Sequence, residues 1–154
     1  MTKLEHIEDR LHSNEIDIYN FAISPNKKAM CHRVGDIKAI ALNRSILSGA
    51  SDEASVLAEE LGHFETNTLY AITPSYNTPE VRSTRIKKEA RARHWAYREY
   101  CPPEEIEAAY EQESEYGQHA MAEYCSVTIE FLFKAIEYHR SCGYIFSFDE
   151  INCA

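Results

Sequence analysis

Glu59, Glu60 and His63 fall within the five residues Glu59-Glu60-Leu61-Gly62-His63. On a helix advancing about 100° per residue, Glu59 and His63 lie one turn apart on a shared face, with Glu60 beside them. One imidazole and two carboxylates directed at a common point are the components of a hydrolytic metal site: donors for a divalent ion and a general base. The pentapeptide differs at one position from the H-E-x-x-H helix, in which both histidines bind zinc and the glutamate takes the proton. Here a glutamate stands in place of the first histidine. Taken alone, the pentapeptide also suits a surface helix with solvated carboxylates and an incidental histidine, so the rest of the chain has to decide.

Glu89 bears on that choice. Ile86, Ala90, Ala92, Ala96, Tyr97 and Tyr100 form an apolar stripe at helical spacing, and Glu89 falls inside it rather than on the charged face. A carboxylate directed at a core is costly unless it is paired or bound to a metal. One solution is an ion pair with Arg85 or Arg93, each four residues away. The other is the zincin arrangement, in which a second helix supplies the third ligand to the ion held by the first, and Glu89 lies 26 residues after His63, where that ligand is expected.

Several ordered segments add to these residues. Ile40-Ala41-Leu42-Asn43, Val56-Leu57-Ala58-Glu59-Glu60-Leu61-Gly62-His63-Phe64, Lys88-Glu89-Ala90-Arg91-Ala92-Arg93-His94-Trp95-Ala96 and Ala122-Glu123-Tyr124-Cys125-Ser126-Val127-Thr128-Ile129-Glu130-Phe131-Leu132 together resemble the ImmA/IrrE family of metallo-endopeptidases, over roughly residues 10 to 140. The resemblance implies a zincin-like domain that cuts a helix-turn-helix repressor of the XRE type encoded nearby, an anti-repressor role in prophages and integrative elements. It assigns His63 and Glu89 as metal ligands and Glu60 as general base. Position 59 departs from the family's usual histidine, but a carboxylate is a legitimate zinc ligand, so Glu59, His63 and Glu89 form the expected set. Two carboxylates and one imidazole make a harder donor set, which neutralises a divalent ion and widens the choice from Zn2+ to Mn2+ or another metal. For the donor that steadies an oxyanion, His94, His119, Tyr70 and Tyr76 are all candidates.

The elements that must position these groups divide the chain in two. A short amphipathic helix over Leu4, Ile7 and Leu11 is followed by a strand carrying Ile16 and Ile18, then a turn at Ser24-Pro25-Asn26. Two extended segments, Lys28 to Val34 and Ile37 to Leu42, flank Gly35-Asp36, a connection suited to a tight hairpin. We expect a small antiparallel sheet here, with the strand Ile37 to Leu42 offering an edge to an extended substrate. Beyond it the chain reads as helical. One helix runs from a cap at Ser51 to about Thr66, and after a loop from Asn67 to Pro79 a long helix spans about Glu80 to Tyr100. Shorter helices follow from Glu104, over His119 to Cys125 and over Thr128 to Ser141, before a strand or packed tail at Tyr144 to Phe148. The expected class is α+β and zincin-like, one domain over residues 1 to 154 with its core at about 10 to 140 and a tail from 144.

Composition narrows the alternatives. A hydrophobic content of 44% with no long apolar run, and an N-terminus without signal-peptide features, lead us to expect a cytoplasmic protein without a membrane span. Five scattered cysteines, none in a C-x-x-C pair, suggest neither a disulfide framework nor a cysteine zinc site. A formal charge of -9 opposes general binding to phosphate backbones, although Arg82 to Arg98 is locally basic. Direct nucleic-acid binding is the weakest rival: the helices flanking Ser126-Val127-Thr128 have a helix-turn-helix rhythm with Lys134, His139 and Arg140 on the second, but glutamates and core residues share that pair. The stronger rival is a catalytically inactive relative that binds a protein partner without cutting it.

Overall fold

Leu4, Ile7 and Leu11 recur once per turn and form the inner face of α1 (Lys3–Ser13), with Ile7 and Leu11 fully buried. Thr2 starts this helix through a capping box: its hydroxyl accepts the Glu5 N–H while the Glu5 carboxylate accepts the Thr2 N–H. The computed structural model describes residues 1–69 and 78–150. Tyr70, Tyr76 and most of the loop expected between Asn67 and Pro79 lie outside the described residues.

Three strands follow α1: β1 (Ile16–Asn20), β2 (Ala29–Val34) and β3 (Ile37–Leu42). Gly35, at φ +61°, supplies the left-handed residue that the two-residue β2–β3 turn needs, and Val34 pairs with Ile37 across it. The sheet order is β1-β3-β2, with β1 parallel and β2 antiparallel to β3. The expectation of an antiparallel sheet is therefore corrected to a mixed one. Two chain reversals separate β1 from β3, so the two run the same way, and β3 takes the centre because its Ile40 and Leu42 are fully buried. The edge falls instead to β2, whose Arg33 and Val34 face solvent, so β3 does not offer the edge expected of it.

The remainder is helical: α2 (Ala50–Glu65), α3 (Pro79–Tyr100), α4 (Pro103–Glu113), α5 (Gln118–Tyr124), α6 (Ile129–Ser141) and the single turn α7 (Ser147–Glu150). Thr78 and Thr128 cap α3 and α6, each hydroxyl accepting a backbone N–H three residues on. Ser51 does not cap α2. Gly49 occupies that position, and Asp52 in the first turn reaches back to accept the N–H and hydroxyl of Ser48, both at 3.1 Å. Along α3 the inner face comprises Ala92, Trp95, Ala96, Tyr97 and Tyr100, whereas Ile86 is 69% exposed and does not extend the expected stripe. The tail at Tyr144 to Phe148 forms no strand. It enters α7 with Phe146 fully buried and stacked on Phe148.

Asp52 is the main buried charge that supports this framework. Its carboxylate is 5% exposed and accepts both a 2.8 Å and a 2.9 Å bond from Lys28 Nζ, fastening the loop before β2 to the start of α2. Burial alone would raise its pKa, but the bonds from Lys28 and Ser48 outweigh that and hold it below the ordinary value. A depressed carboxylate contributes stability above its unfolded pKa of about 3.9, and the contribution is lost as pH falls through the folded value. Asp52→Asn is expected to cost about 2 kcal/mol at neutral pH, given hydrogen bonds to a charged group and a half-exposed lysine partner. Urea midpoints of the two proteins should converge below about pH 4. A difference that persists undiminished into acid would refute the linkage.

Candidate functional site

The site begins with the way α2 ends. Asn67, at φ +51°, takes the left-handed position after the helix, so that Thr68 N–H bonds the His63 carbonyl at 2.9 Å and Asn67 N–H bonds that of Phe64 at 3.2 Å. This is a Schellman closure with asparagine where glycine is commoner. It folds Thr68, 1% exposed, back against the His63 ring.

The surrounding hydroxyls then fix the imidazole. Thr66 Oγ1 donates to the Gly62 carbonyl at 2.7 Å, so in its 2.8 Å bond with Thr68 Oγ1 the Thr68 hydroxyl is the donor. Thr68 Oγ1 and the Thr68 carbonyl are left as acceptors, 3.1 and 3.3 Å from His63 Nδ1. Nδ1 therefore carries a proton; the neutral ring presents a lone pair at Nε2, and the protonated ring donates from Nε2 to a carboxylate. Nε2 faces Glu89 Oε2 at 3.7 Å. An imidazole held at Nδ1 and turned with Nε2 toward a carboxylate is oriented as metal-binding histidines are.

The facing carboxylate is placed by close helix packing. A Cβ at Gly62 would lie 2.3 Å from the Ala92 carbonyl oxygen, so glycine is what lets the α2 backbone lie directly against that of α3. His63 follows Gly62 in the chain, and Glu89 precedes Ala92 by one turn. The backbone contact thus sets how near the two functional side chains stand.

Glu59, Glu60, His63 and Glu89 all line one cleft of about 550 Å³, closed on its far side by Ala29, Met30, Cys31 and His32 of β2. Burial raises the pKa of Glu60, while the Cys31 thiol, which hydrogen-bonds it, and the nearby His63 act against that rise. Burial, together with the Glu60 charge and hydrogen bond, pushes the Cys31 thiol well up, so it remains a neutral donor to the carboxylate. Glu59 is also raised by burial, moderated by Arg93. For His63, burial pulls downward, but the hydrogen bond to Glu89 and the charges of Glu60 and Glu89 leave its pKa above the usual value.

Arg93 completes the cleft. Its Nε lies 3.4 Å from Glu59 Oε2 and its Nη2 lies 3.6 Å from Glu89 Oε2, bridging the carboxylates of two helices. The ion pair anticipated between Glu89 and Arg93 is thus present, together with the approach of Glu89 to His63. The donor chemistry of the cleft suits a divalent cation, with an oriented imidazole and three carboxylates. Among the described residues, however, no three His, Cys, Asp or Glu side chains are gathered so that they could hold a metal ion. A guanidinium stands between Glu59 and Glu89.

Two other candidates lie elsewhere. His94 is exposed and stacks on Tyr138 at 4.4 Å, and His119 is exposed on α5; neither lines the cleft. Conversely, Cys31, His32, Thr68 and the bridging role of Arg93 are contributions that the sequence reading missed. The Asn67-Thr68 pair just after the helix was a readable signal for the closure that anchors His63. Cys31 had none, because only the strand order puts β2 over α2.

The basic residues of α6 are otherwise engaged. His139 is buried with Nε2 bonded to the Cys101 carbonyl at 2.9 Å, Lys134 pairs with Glu130 at 2.9 Å, and Arg140 pairs with Asp149. Thr128 N–H bonds Ser55 Oγ at 2.9 Å, so the entry to α6 is fastened to α2. No helix among the described residues is long and apolar enough to cross a membrane. Comparisons with protein-family models, with curated proteins and with solved structures returned no match to the chain.

Proposed function

We propose that the chain is a metal-dependent endopeptidase of zincin-like design, acting on a helix-turn-helix repressor. The observation that carries this reading is the cleft itself: His63, fixed by Thr68, presents Nε2 toward Glu89, with the desolvated Glu60 alongside and β2, an edge strand among the described residues, opposite. His63 and Glu89 would hold a divalent ion, with Glu59 as third donor. Such an ion, when bound, supplies Lewis-acid polarisation to a carbonyl and to attacking water.

The remaining roles fall to the chain's own groups. Glu60, with its pKa raised by burial, is suited to take a proton from water and return it to the leaving amine. β2 offers backbone donors and acceptors to an extended peptide, which would lie along the cleft as an added strand. The choice of a repressor as substrate rests on the resemblance to ImmA/IrrE proteins. A second reading, a relative that binds its partner without cutting, draws on the Arg93 bridge, which keeps Glu59 and Glu89 together without a metal.

The test uses the purified chain, stripped with a chelator and reloaded with Zn2+ or Mn2+, and the purified repressor encoded beside its gene. Cleavage that disappears on chelation and returns with metal is the expected result, read by mass spectrometry of the fragments. An intact repressor in the presence of metal-loaded protein would overturn the assignment for that target, and a stable uncut complex would favour the binding module.

A further inference from the structure

We infer that Arg93 is a built-in competitor for the metal, a guanidinium that occupies the carboxylates of the site until a divalent ion displaces it. The inference rests on the metal-site reading above and deepens it. Its basis is the sharing of one atom: Glu89 Oε2, which faces His63 Nε2 at 3.7 Å, is the same oxygen that Arg93 Nη2 approaches at 3.6 Å. The oxygen best placed to share an ion with the imidazole is therefore the one the guanidinium holds. On its other side Arg93 Nε approaches Glu59 Oε2 at 3.4 Å, so a single side chain engages both proposed carboxylate ligands.

Electrostatics explains why an arginine stands there. Glu59, Glu60 and Glu89 line one cleft, and like charges so confined repel unless a cation lies among them. A cation among them relieves that repulsion whether or not metal is present. With histidine at position 59, as in H-E-x-x-H, the first helix would bring one carboxylate fewer; the glutamate adds the negative charge that Arg93 compensates.

The grip is loose enough to be released. Charge-assisted N–H···O bonds at full strength are about 2.7–2.9 Å long, and both contacts here are longer. All three side chains are also partly solvated, with 42% of Arg93, 34% of Glu59 and 32% of Glu89 exposed. The arginine can swing into water, a course open to few buried cations. Metal loading would then exchange one monovalent partner for a divalent one, and affinity would be set by the difference.

Zn2+ affinity of the purified chain, measured by competition with a chromogenic chelator, tests this on wild type, Arg93→Gln and Arg93→Lys. Removing a unit charge a few ångströms from the ion should tighten Zn2+ binding in Arg93→Gln by at least about tenfold, while Arg93→Lys stays near wild type. In 15N-labelled wild type, the Arg93 Nε–H resonance should shift on saturation with Zn2+. Equal or weaker binding by Arg93→Gln overturns the competition and leaves the metal site standing. Failure of both wild type and Arg93→Gln to bind Zn2+ overturns the metal reading and this inference with it. Should Arg93→Gln not fold, as judged by thermal denaturation, an Arg93 resonance unmoved by saturating Zn2+ is enough to overturn it.

Discussion

If the chain is the endopeptidase proposed above, glutamine in place of Glu60 is expected to reduce repressor cleavage by about a thousandfold while leaving Zn2+ affinity and folding near wild type, within the range found for loss of a positioned general base. The amide has the size of the carboxylate but does not accept a proton from water. It retains an oxygen to receive the Cys31 thiol, so the packing between α2 and β2 persists. Folding is further protected because Glu60 is desolvated as a charge in the wild type, and a neutral amide removes that cost. Single-turnover cleavage, Zn2+ titration and thermal denaturation of the same preparation separate the three effects. Cleavage by Glu60→Gln at the wild-type rate would remove Glu60 from the chemistry. Loss of Zn2+ binding along with cleavage would instead place Glu60 among the ligands.

Gly62→Ala should be the most crowded of the glycine-to-alanine changes in the described chain. The added Cβ would stand 2.3 Å from the Ala92 carbonyl oxygen, 3.0 Å from its carbonyl carbon and 3.2 Å from its Cα, all of them backbone atoms. No side-chain rotamer can relieve such an overlap, so α2 and α3 must separate. We expect a loss of about 3 kcal/mol, at the upper end for overpacking, and a fall in Tm of roughly 6–12 °C for a domain of this size. The second effect is functional: separating the helices moves His63 away from Glu89, so Zn2+ affinity should fall in the protein that remains folded. Unchanged stability would show that the helices do not meet as closely as described.

Legibility in the sequence followed the range of the forces involved. Helix periodicity and the Gly35-Asp36 turn are local properties, and α1, α3, α6 and the β2–β3 hairpin lie close to where the pattern placed them. Glu59, Glu60 and His63 were legible because one helix carries them all, and Glu89 because a carboxylate inside an apolar stripe requires a partner. Strand order was not legible. It depends on β3 pairing with β1 on one side and β2 on the other, a tertiary choice that also decides that Cys31, rather than a residue of β3, meets Glu60. Ile86 misled for a related reason: apolar spacing indicates which residues share a face of α3, but not how far along the helix its neighbours extend. At Ser51, local capping preference was overridden by Asp52, which binds Ser48 and Lys28 together.

The position of β2 at the sheet edge has a consequence for self-association. An open strand edge is a template on which another copy of the same chain can pair, the usual route by which sheets aggregate. Lys27 precedes this strand and Arg33 lies within it, two cations on a chain whose formal charge is -9. Two copies meeting edge to edge would bring these like charges together, whereas a segment without them, or one bearing acidic residues, would not be repelled. By charge alone, the edge favours an acidic visiting strand over its own twin.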